Sequence, residues 1–453
     1  MSGLDLQAIT AGSWHGAPPA MIGGICTDTR KLAEGDAFVA LRGPNFDGHA
    51  FAEEAARGGA AALVGDSAGM RAWLGIELPQ LEVADSMLAL GNIAAGWRSR
   101  LGFPVVGITG SFGKTTLRSM LEHILTDKGL RLTATRSNDN NLIGVPQTLL
   151  RVAEDDDAAL IECGISEPGE MQRLAAMLRP DVAVITGVAA AHAEGLGSLA
   201  GVASEKALLL DAVPEGGCAV LGHGVAELLG ERALSQGVTM IDMDGDSESV
   251  VRWEMQGCTV HLARGAEVAE FEQSLPARHW AADAALAATV VGSLGLASLA
   301  DVASAMGNWQ AVGGRMQSLT GSGGCSVLDD SYNANPASMQ AAIDTLRSLN
   351  GRRIAVLGDM AELGSDSAVL HAGLNVRDLD TVLLLGDQMR HLAEANPETV
   401  HADGIGQVLE ALRLMRLGDN DSVLVKGSRC MRMEQIVRAL THDAGIPEAT
   451  DAV

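Results

Sequence analysis

Apolar and polar positions change period repeatedly along this chain, and the changes mark its elements. Residues 105–109 (Val-Val-Gly-Ile-Thr) form a short apolar, β-branched run, residues 110–116 a glycine-bearing loop, and Leu117 to Leu125 a helix-prone stretch. A continuous apolar run bounded by turn signals predicts a strand buried on both faces. Similar runs at 158–162 and 182–186 alternate with helical patterns. From about residue 99 to 313 this predicts a largely parallel sheet with helices on both sides and ligands at the carboxyl ends of its strands.

Other stretches flank that unit. Residues 1–98 mix short elements: a strand at 36–41, a turn from Gly43 to Gly48, a helix over about 50–57 and a strand at 60–64. Residues 218–275 are more β-like and less regular, and 281–294 predicts an alanine-rich packed helix. Beyond Gly313-Gly314-Arg315 the alternation resumes, with strands at 327–330, 354–357, 381–385 and 423–425 and helices starting near Pro336, Ser367 and Met431. The pattern predicts an α/β protein of three domains: 1–98, small; 99–313, central with the phosphate loop; and 314–453, Rossmann-like. A glycine-bearing join near 313 suggests a hinge with the site between domains.

Composition narrows the classes. With 47% hydrophobic and 20% charged residues over 453 positions, the chain can bury several cores. No apolar stretch reaches the ~18 residues of a membrane span. The first twelve residues lack the basic start and apolar run of a signal peptide, so the cytoplasm is the expected compartment and no membrane partner is expected. Six cysteines scattered singly, without a C-x-x-C pair, argue against a disulfide frame or a zinc site. A net charge of −25 argues against a nucleic-acid partner and gives weight to any cation beside a glycine-rich turn. Asp242, Asp244 and Asp246 lack the glycine and terminal Glu of a calcium loop.

The loop itself reads T-G-x-x-G-K-T, with Ile108 where the stricter G-x-x-x-x-G-K-[ST] pattern has its first glycine. Its chemistry is still that of a nucleoside-triphosphate cradle. Gly110 and Gly113 let backbone N–H groups curl around phosphates, Lys114 supplies a point charge, and the Thr115 hydroxyl suits Mg2+. Glu162 ends the second strand of the unit, and His192 and Glu194 come after the third. Thr27-Asp28-Thr29-Arg30-Lys31 is a polar cluster suited to an anionic ligand.

Several longer stretches resemble the Mur ligase family, most closely its MurF branch. They are residues 329–336 (Asp-Asp-Ser-Tyr-Asn-Ala-Asn-Pro), 356–364 (Val-Leu-Gly-Asp-Met-Ala-Glu-Leu-Gly) and 425–429 (Val-Lys-Gly-Ser-Arg), with Met433-Glu434. Residues 140–146, 195–199, 27–30, 35–41 and 47–49 fit the same branch, so the resemblance covers nearly the whole length. It implies an ATP- and Mg2+-dependent ligase that joins D-Ala-D-Ala to UDP-N-acetylmuramoyl-tripeptide through an acyl phosphate, in peptidoglycan precursor synthesis. Both organic substrates are small molecules, and a monomer is expected.

The resemblance also implies residue roles. Thr109, Gly110, Gly113, Lys114, Thr115 and Thr116 would hold ATP phosphates, with Lys114 on the β/γ pair. His279, Asp283, Arg315, Asp330 and Asn333 would complete the nucleotide site, Asp330 on the ribose. Thr115 and Glu162 would bind one Mg2+, and His192 with a carbamylated Lys206 a second, near the acceptor carboxylate. Lys114, Glu162, His192, Lys206 and Arg315 form the implied catalytic set. Asp28, Thr29, Arg30, Asp47, His49, Asn140 and Asn141 would bind the UDP-sugar peptide, and Lys426 and Ser428 the dipeptide carboxylate.

This chain departs from the family pattern around the same site. Gly187 stands where the family has Asn, His279-Trp280-Ala281-Ala282-Asp283 where it has H-N-x-x-N, Gly164-Ile165-Ser166-Glu167 where it has Gly-Ala-Asn-His, and Ala207-Leu208 follow Lys206 in place of Gly-Glu. An ionised Asp283 would repel phosphate. Trp280 is expected either to stack on adenine or to block its pocket. Two alternatives therefore accompany the ligase reading: a related ligase acting on another acid and amine, or a non-catalytic nucleotide-binding homologue.

Overall fold

The protein is described by a computed structural model covering residues 1–43, 46–189, 196–230 and 237–441. Three large sheets, of five, six and six strands among the described residues, succeed one another along the chain. In the first, Ser13–His15 pairs antiparallel with Gln80–Val83, which continues in parallel through Ala62–Asp66, Ala37–Val39 and Ile25–Cys26. The segment expected as a turn from Gly43 to Gly48 carries a small Arg42–Gly43/Phe46–Asp47 hairpin, followed by a 3-10 turn over Gly48–Phe51. That turn delays the expected helix to Ala52–Arg57.

The central sheet is wholly parallel among its described strands. Its order is Thr239–Asp242, Cys218–Leu221, Val182–Ile185, Val105–Thr109, Ala158–Glu162, Leu132–Ala134. Every residue of Val105–Thr109 and Ala158–Glu162 is buried, which explains why their sequences carry no alternation. Successive side chains still point to opposite faces. Val106, Ile108, Leu160 and Val184 meet Leu117, Met120 and Leu121 of the Lys114–Asp127 helix on one face. On the other, Val105, Ala159, Ile161 and Ile185 meet Val145, Leu149 and Leu174. The irregular stretch after 218 includes a three-stranded antiparallel sheet of Arg252–Gln256, Thr259–Arg264 and Glu267–Glu272.

The third sheet has the order Gln317–Thr320, Ser326–Asp330, Asp421–Lys426, Arg352–Gly358, Thr381–Leu385, Val400–Ala402, parallel except at its first pair. Its Pro336–Arg347 helix packs on the Arg278–Ser293 helix of the central unit, so one apolar cluster runs from Leu117 through Trp280 to Met339 and Leu328. The Ser86–Arg98 helix ties the first sheet to the second. Arg98 donates to the Leu178 carbonyl at 3.0 Å and pairs with Asp181 at 2.7 Å. All six cysteines are free thiols. Among the described residues no helix is long and apolar enough to cross a membrane.

Candidate functional site

The Val105–Thr109 strand ends at a loop whose backbone only glycine tolerates at two points. Gly110 has φ +152°, and a Cβ there would stand 2.0 Å from Thr186 Oγ1; Gly113 has φ +79° and starts the Lys114–Asp127 helix. No side chain caps that helix, so its first N–H groups are left for a ligand. Ser111 fixes the loop to the neighbouring strand end, its N–H donating to Gly187 O at 2.8 Å and its hydroxyl to Ala189 O at 3.1 Å. Lys114 Nζ donates to Gly110 O at 2.5 Å across the cradle. Burial pushes this ammonium down to about 8, Glu162 pulling it up and Arg315 pushing it down.

Beneath the loop lies a buried polar cluster. Thr115 Oγ1 donates to Glu162 Oε2 at 3.0 Å, and Glu162 is fully buried at its strand end. Arg118 Nε donates to the other oxygen, Oε1, at 2.9 Å, while its Nη1 contacts Glu122. Arg118 escaped the sequence reading, although it sits one helical turn after Lys114, where a side chain shares the same face. Thr109, expected among the phosphate ligands, turns its hydroxyl to Cys163 O at 2.8 Å. Lys206 is 1% exposed and makes no hydrogen bond or ion pair among the described residues. Burial first, and then Lys114, hold its pKa well below the usual lysine range.

The Arg278–Ser293 helix supplies a second wall and resolves two of the departures. Trp280 is 2% exposed and meets Trp309 at nearly a right angle with ring centroids 5.2 Å apart, so most of the ring is spent on core packing while it still lines the floor of the cleft. His279 and Asp283, one turn apart, both line the cleft. Asp283 has no hydrogen-bond partner among the described residues, and burial pushes its carboxyl up to about 8. At pH 7 it is therefore a neutral donor, not the repelling anion its sequence suggests. The folded pKa lies above the ordinary 3.8, so its contribution to stability is full below that value and is lost as pH rises toward 8. Asp283→Asn is expected to gain in melting temperature over the parent increasingly from pH 5 to 9; a constant difference would show the carboxyl already ionised.

Gly187 is explained by a neighbour. A Cβ at Gly187 would stand 2.3 Å from Phe112 Cζ, so the Phe112 ring occupies the room that an Asn side chain would require. The two residues lie on different loops and are matched only in three dimensions.

The third sheet closes the cleft. Asp330 and Lys426 face each other in register on adjacent parallel strands, and Lys426 Nζ donates to Asp330 Oδ2 at 2.6 Å and to Asn333 O at 3.0 Å. Ser428 is 1% exposed, its hydroxyl accepting from Ala361 N at 2.7 Å and donating to Ala334 O at 3.3 Å. Both residues expected for the dipeptide carboxylate thus already have protein partners, Lys426 at the strand end where it lines the cleft and Ser428 in the turn that follows. Arg315 lies over the Tyr332 ring at 4.3 Å, with Arg429 at 5.7 Å. Asn335 starts the Pro336–Arg347 helix by accepting from Ser338 N at 2.9 Å, and its Nδ2 donates to Ser111 O in the phosphate loop at 3.2 Å.

These walls enclose a cleft of about 650 Å³ lined by Lys114, Thr115, Lys206, His279, Asp283, Arg315, Asp330 and Asn333, with Gly113, Thr116, Asn140, Asn141 and Lys426. Asn141 is partly spent, its Oδ1 accepting from Ile143 N and Gly144 N at 3.0 Å. Asp28, Thr29, Arg30, Asp47 and His49 do not line this cleft. Arg30 pairs with Asp28 at 2.9 Å, and Thr29 donates to Glu54 at 2.5 Å. His49 is 3% exposed, with Nδ1 on Asp47 at 2.6 Å and Nε2 accepting from Asp66 N at 3.2 Å. It orients Asp47 from behind and has no ring nitrogen left for a ligand. His192 and Glu194 lie outside the described residues.

Comparison with known proteins fits this architecture domain by domain. Residues 21–98 match the family model "Mur ligase family, catalytic domain", 108–291 "Mur ligase middle domain" and 314–429 "Mur ligase, glutamate ligase domain". The chain belongs to the Mur ligase family. This Mur ligase is 36% identical over 447 residues to the UDP-N-acetylmuramoyl-tripeptide–D-alanyl-D-alanine ligase of Escherichia coli K12, covering 96% of this chain and 97% of that one. It superposes on a crystal structure of MurF from Acinetobacter baumannii with a TM-score of 0.86 at 27% identity, over 97% and 98% of the two chains. On MurF from Thermotoga maritima in complex with ADP the TM-score is 0.81 at 25% identity, over 92% and 96%.

Proposed function

We propose that this Mur ligase joins D-Ala-D-Ala to UDP-N-acetylmuramoyl-tripeptide, consuming ATP and releasing ADP and phosphate. The names of its full-length relatives support the substrates. The observation that carries the chemistry is the convergence of Lys114, Lys206 and Arg315 on one cleft above the Thr115–Glu162 pair, in a chain of net charge −25. The proposed division falls at residues 98 and 313, between the three sheets.

The acceptor carboxylate attacks the γ-phosphorus, the bond to the β-phosphate oxygen breaks, and an acyl phosphate forms. The dipeptide amine then attacks the acyl carbon, and the tetrahedral intermediate collapses to amide and phosphate as the amine loses its proton. Negative charge concentrates at each step, so fixed cations and aimed donors matter more than a strong base. In this reading Lys114 and the first-turn N–H groups bind the β/γ-phosphates, Arg315 approaches from the third domain, and His279 and neutral Asp283 face the nucleotide. Asp330, held by Lys426, offers its remaining oxygen to the ribose. Asp28, Thr29 and Arg30 with Asp47 would take the UDP end, His49 orienting Asp47.

Thr115 and Glu162 give a hard-oxygen pair suited to Mg2+, and among the described residues no three His, Cys, Asp or Glu side chains cluster as a metal cage. That matches an ion that takes one or two protein ligands and fills the rest with water and phosphate oxygens. When bound, Mg2+ would polarise the γ-phosphate and neutralise developing charge. Carbamylated Lys206, with His192, would supply a second oxygen-rich position.

Purified protein is expected to release phosphate only when Mg-ATP, UDP-N-acetylmuramoyl-tripeptide and D-Ala-D-Ala are all present. Release with other acid–amine pairs but not with this one would redirect the assignment to a different ligation. Failure to bind nucleotide by calorimetry would remove the ATP reading.

A further inference from the structure

Beside the main cleft, at the open edge of the central sheet, lies a smaller recess of about 320 Å³. It opens where the edge strand Leu132–Ala134 runs into the loop toward Asn140, and Ser137 lines both it and the main cleft. Its charged lining is unusual for so acidic a chain: Arg118, Arg136 and Arg151 against one carboxylate, Glu122. Thr133 and Thr135 complete the polar wall.

Two of the three guanidinium groups are already engaged. Arg118 is shared between Glu162 and Glu122, and Arg151 reaches Asp139 at 3.4 Å and Thr148 Oγ1 at 3.1 Å. The Thr133 hydroxyl donates to Asp156 Oδ2 at 2.7 Å, and Thr135 Oγ1 accepts from Glu162 N at 2.9 Å. The Arg136 side chain has no hydrogen bond, ion pair or ring contact among the described residues. Arg136 is exposed at the mouth of the recess, so its guanidinium is hydrated and open to a ligand, and its planar fork of donors matches the paired oxygens of a carboxylate or phosphate.

We propose that this recess is a second oxyanion site, distinct from the phosphate loop, in which Arg136 is the principal ligand and Arg118 and Arg151 add field. Its occupant is a carboxylate or a phosphate. Two sources present that chemistry at this place: a carboxylate of a ligation substrate reaching past Ser137, and the free phosphate that the reaction releases. Oxyanion binding here rests on the recess and Arg136, whereas the two sources named for the occupant rest on the proposed function; the phosphate titration tests the first without the second.

The test uses the full-length protein with the loop filled by Mg2+ and a non-hydrolysable ATP analogue, so that Lys114 is not available to the probe. Inorganic phosphate is then titrated by calorimetry against the parent, Arg136→Ala and Arg136→Lys. The expected result is a weak site whose affinity falls at least fivefold in Arg136→Ala and is partly restored in Arg136→Lys. In parallel, steady-state ligation is measured. An unchanged kcat with a raised KM for one carboxylate substrate in Arg136→Ala assigns that substrate as the occupant. Unchanged KM values with relieved product inhibition by phosphate assign the released phosphate. No phosphate binding in the parent, or equal binding in both proteins, together with unchanged KM values and inhibition, overturns the proposal.

Discussion

Lys114→Ala is expected to lower phosphate release by about a thousandfold or more while leaving the fold intact. The size comes from removing a pre-aimed cation from a site where charge develops on transferred phosphate, where loss of even one neutral donor costs ~10²–10³. The fold should persist because, among the described residues, the Lys114 side chain makes only the bond to Gly110 O, and burial already disfavours its charge. Thermal melting of the variant should match or exceed that of the parent. Circular dichroism and a phosphate-release assay on the same preparation decide the matter: unchanged turnover would refute the role of Lys114 in binding the transferred phosphate.

Lys206→Ala should cost activity of similar size, but of a different chemical kind. The side chain is buried, has no hydrogen-bond partner among the described residues, and sits in a field from Lys114 that disfavours its ammonium. A neutral lysine amine can add to carbon dioxide, forming an N–C bond and losing one proton, and so become an oxygen ligand. In the alanine variant the vacated space has room for a small carboxylic acid, so formate or acetate should return part of the lost activity in a concentration-dependent way. Full activity of Lys206→Ala without added acid would remove the carbamate from the mechanism.

Much of the site is legible in the sequence because it sits at the ends of strands. The 105–109, 158–162 and 381–385 runs match Val105–Thr109, Ala158–Glu162 and Thr381–Leu385, and a parallel sheet gathers the loops after its strands at one edge. Lys114, Thr115 and Glu162 are therefore neighbours by topology. The helix bearing Asp283 starts at Arg278, three residues before its alanine-rich signal, because it has no side-chain N-cap to announce it. Pairing between loops is the part that sequence does not carry. The fit of Phe112 over Gly187, the Asp330–Lys426 register and the turning of Trp280 toward Trp309 each join residues whose separation along the chain says nothing of their distance. The charge state of Asp283 belongs to the same class, since desolvation is a property of the packed interior.

Asn335 has a consequence for how the enzyme would move. Its amide oxygen begins a helix of the third domain, while its amide nitrogen grips the backbone of the phosphate loop in the second. A helix start and one polar tie between domains thus use opposite ends of one planar group. Exchanging that NH2 for an oxygen, as in Asn335→Asp, preserves the cap and severs the grip. The substitution also sets a carboxylate oxygen against the Ser111 carbonyl in a 7% exposed position, so a one-atom change turns a tie between two domains into a repulsion while the helix start keeps its acceptor.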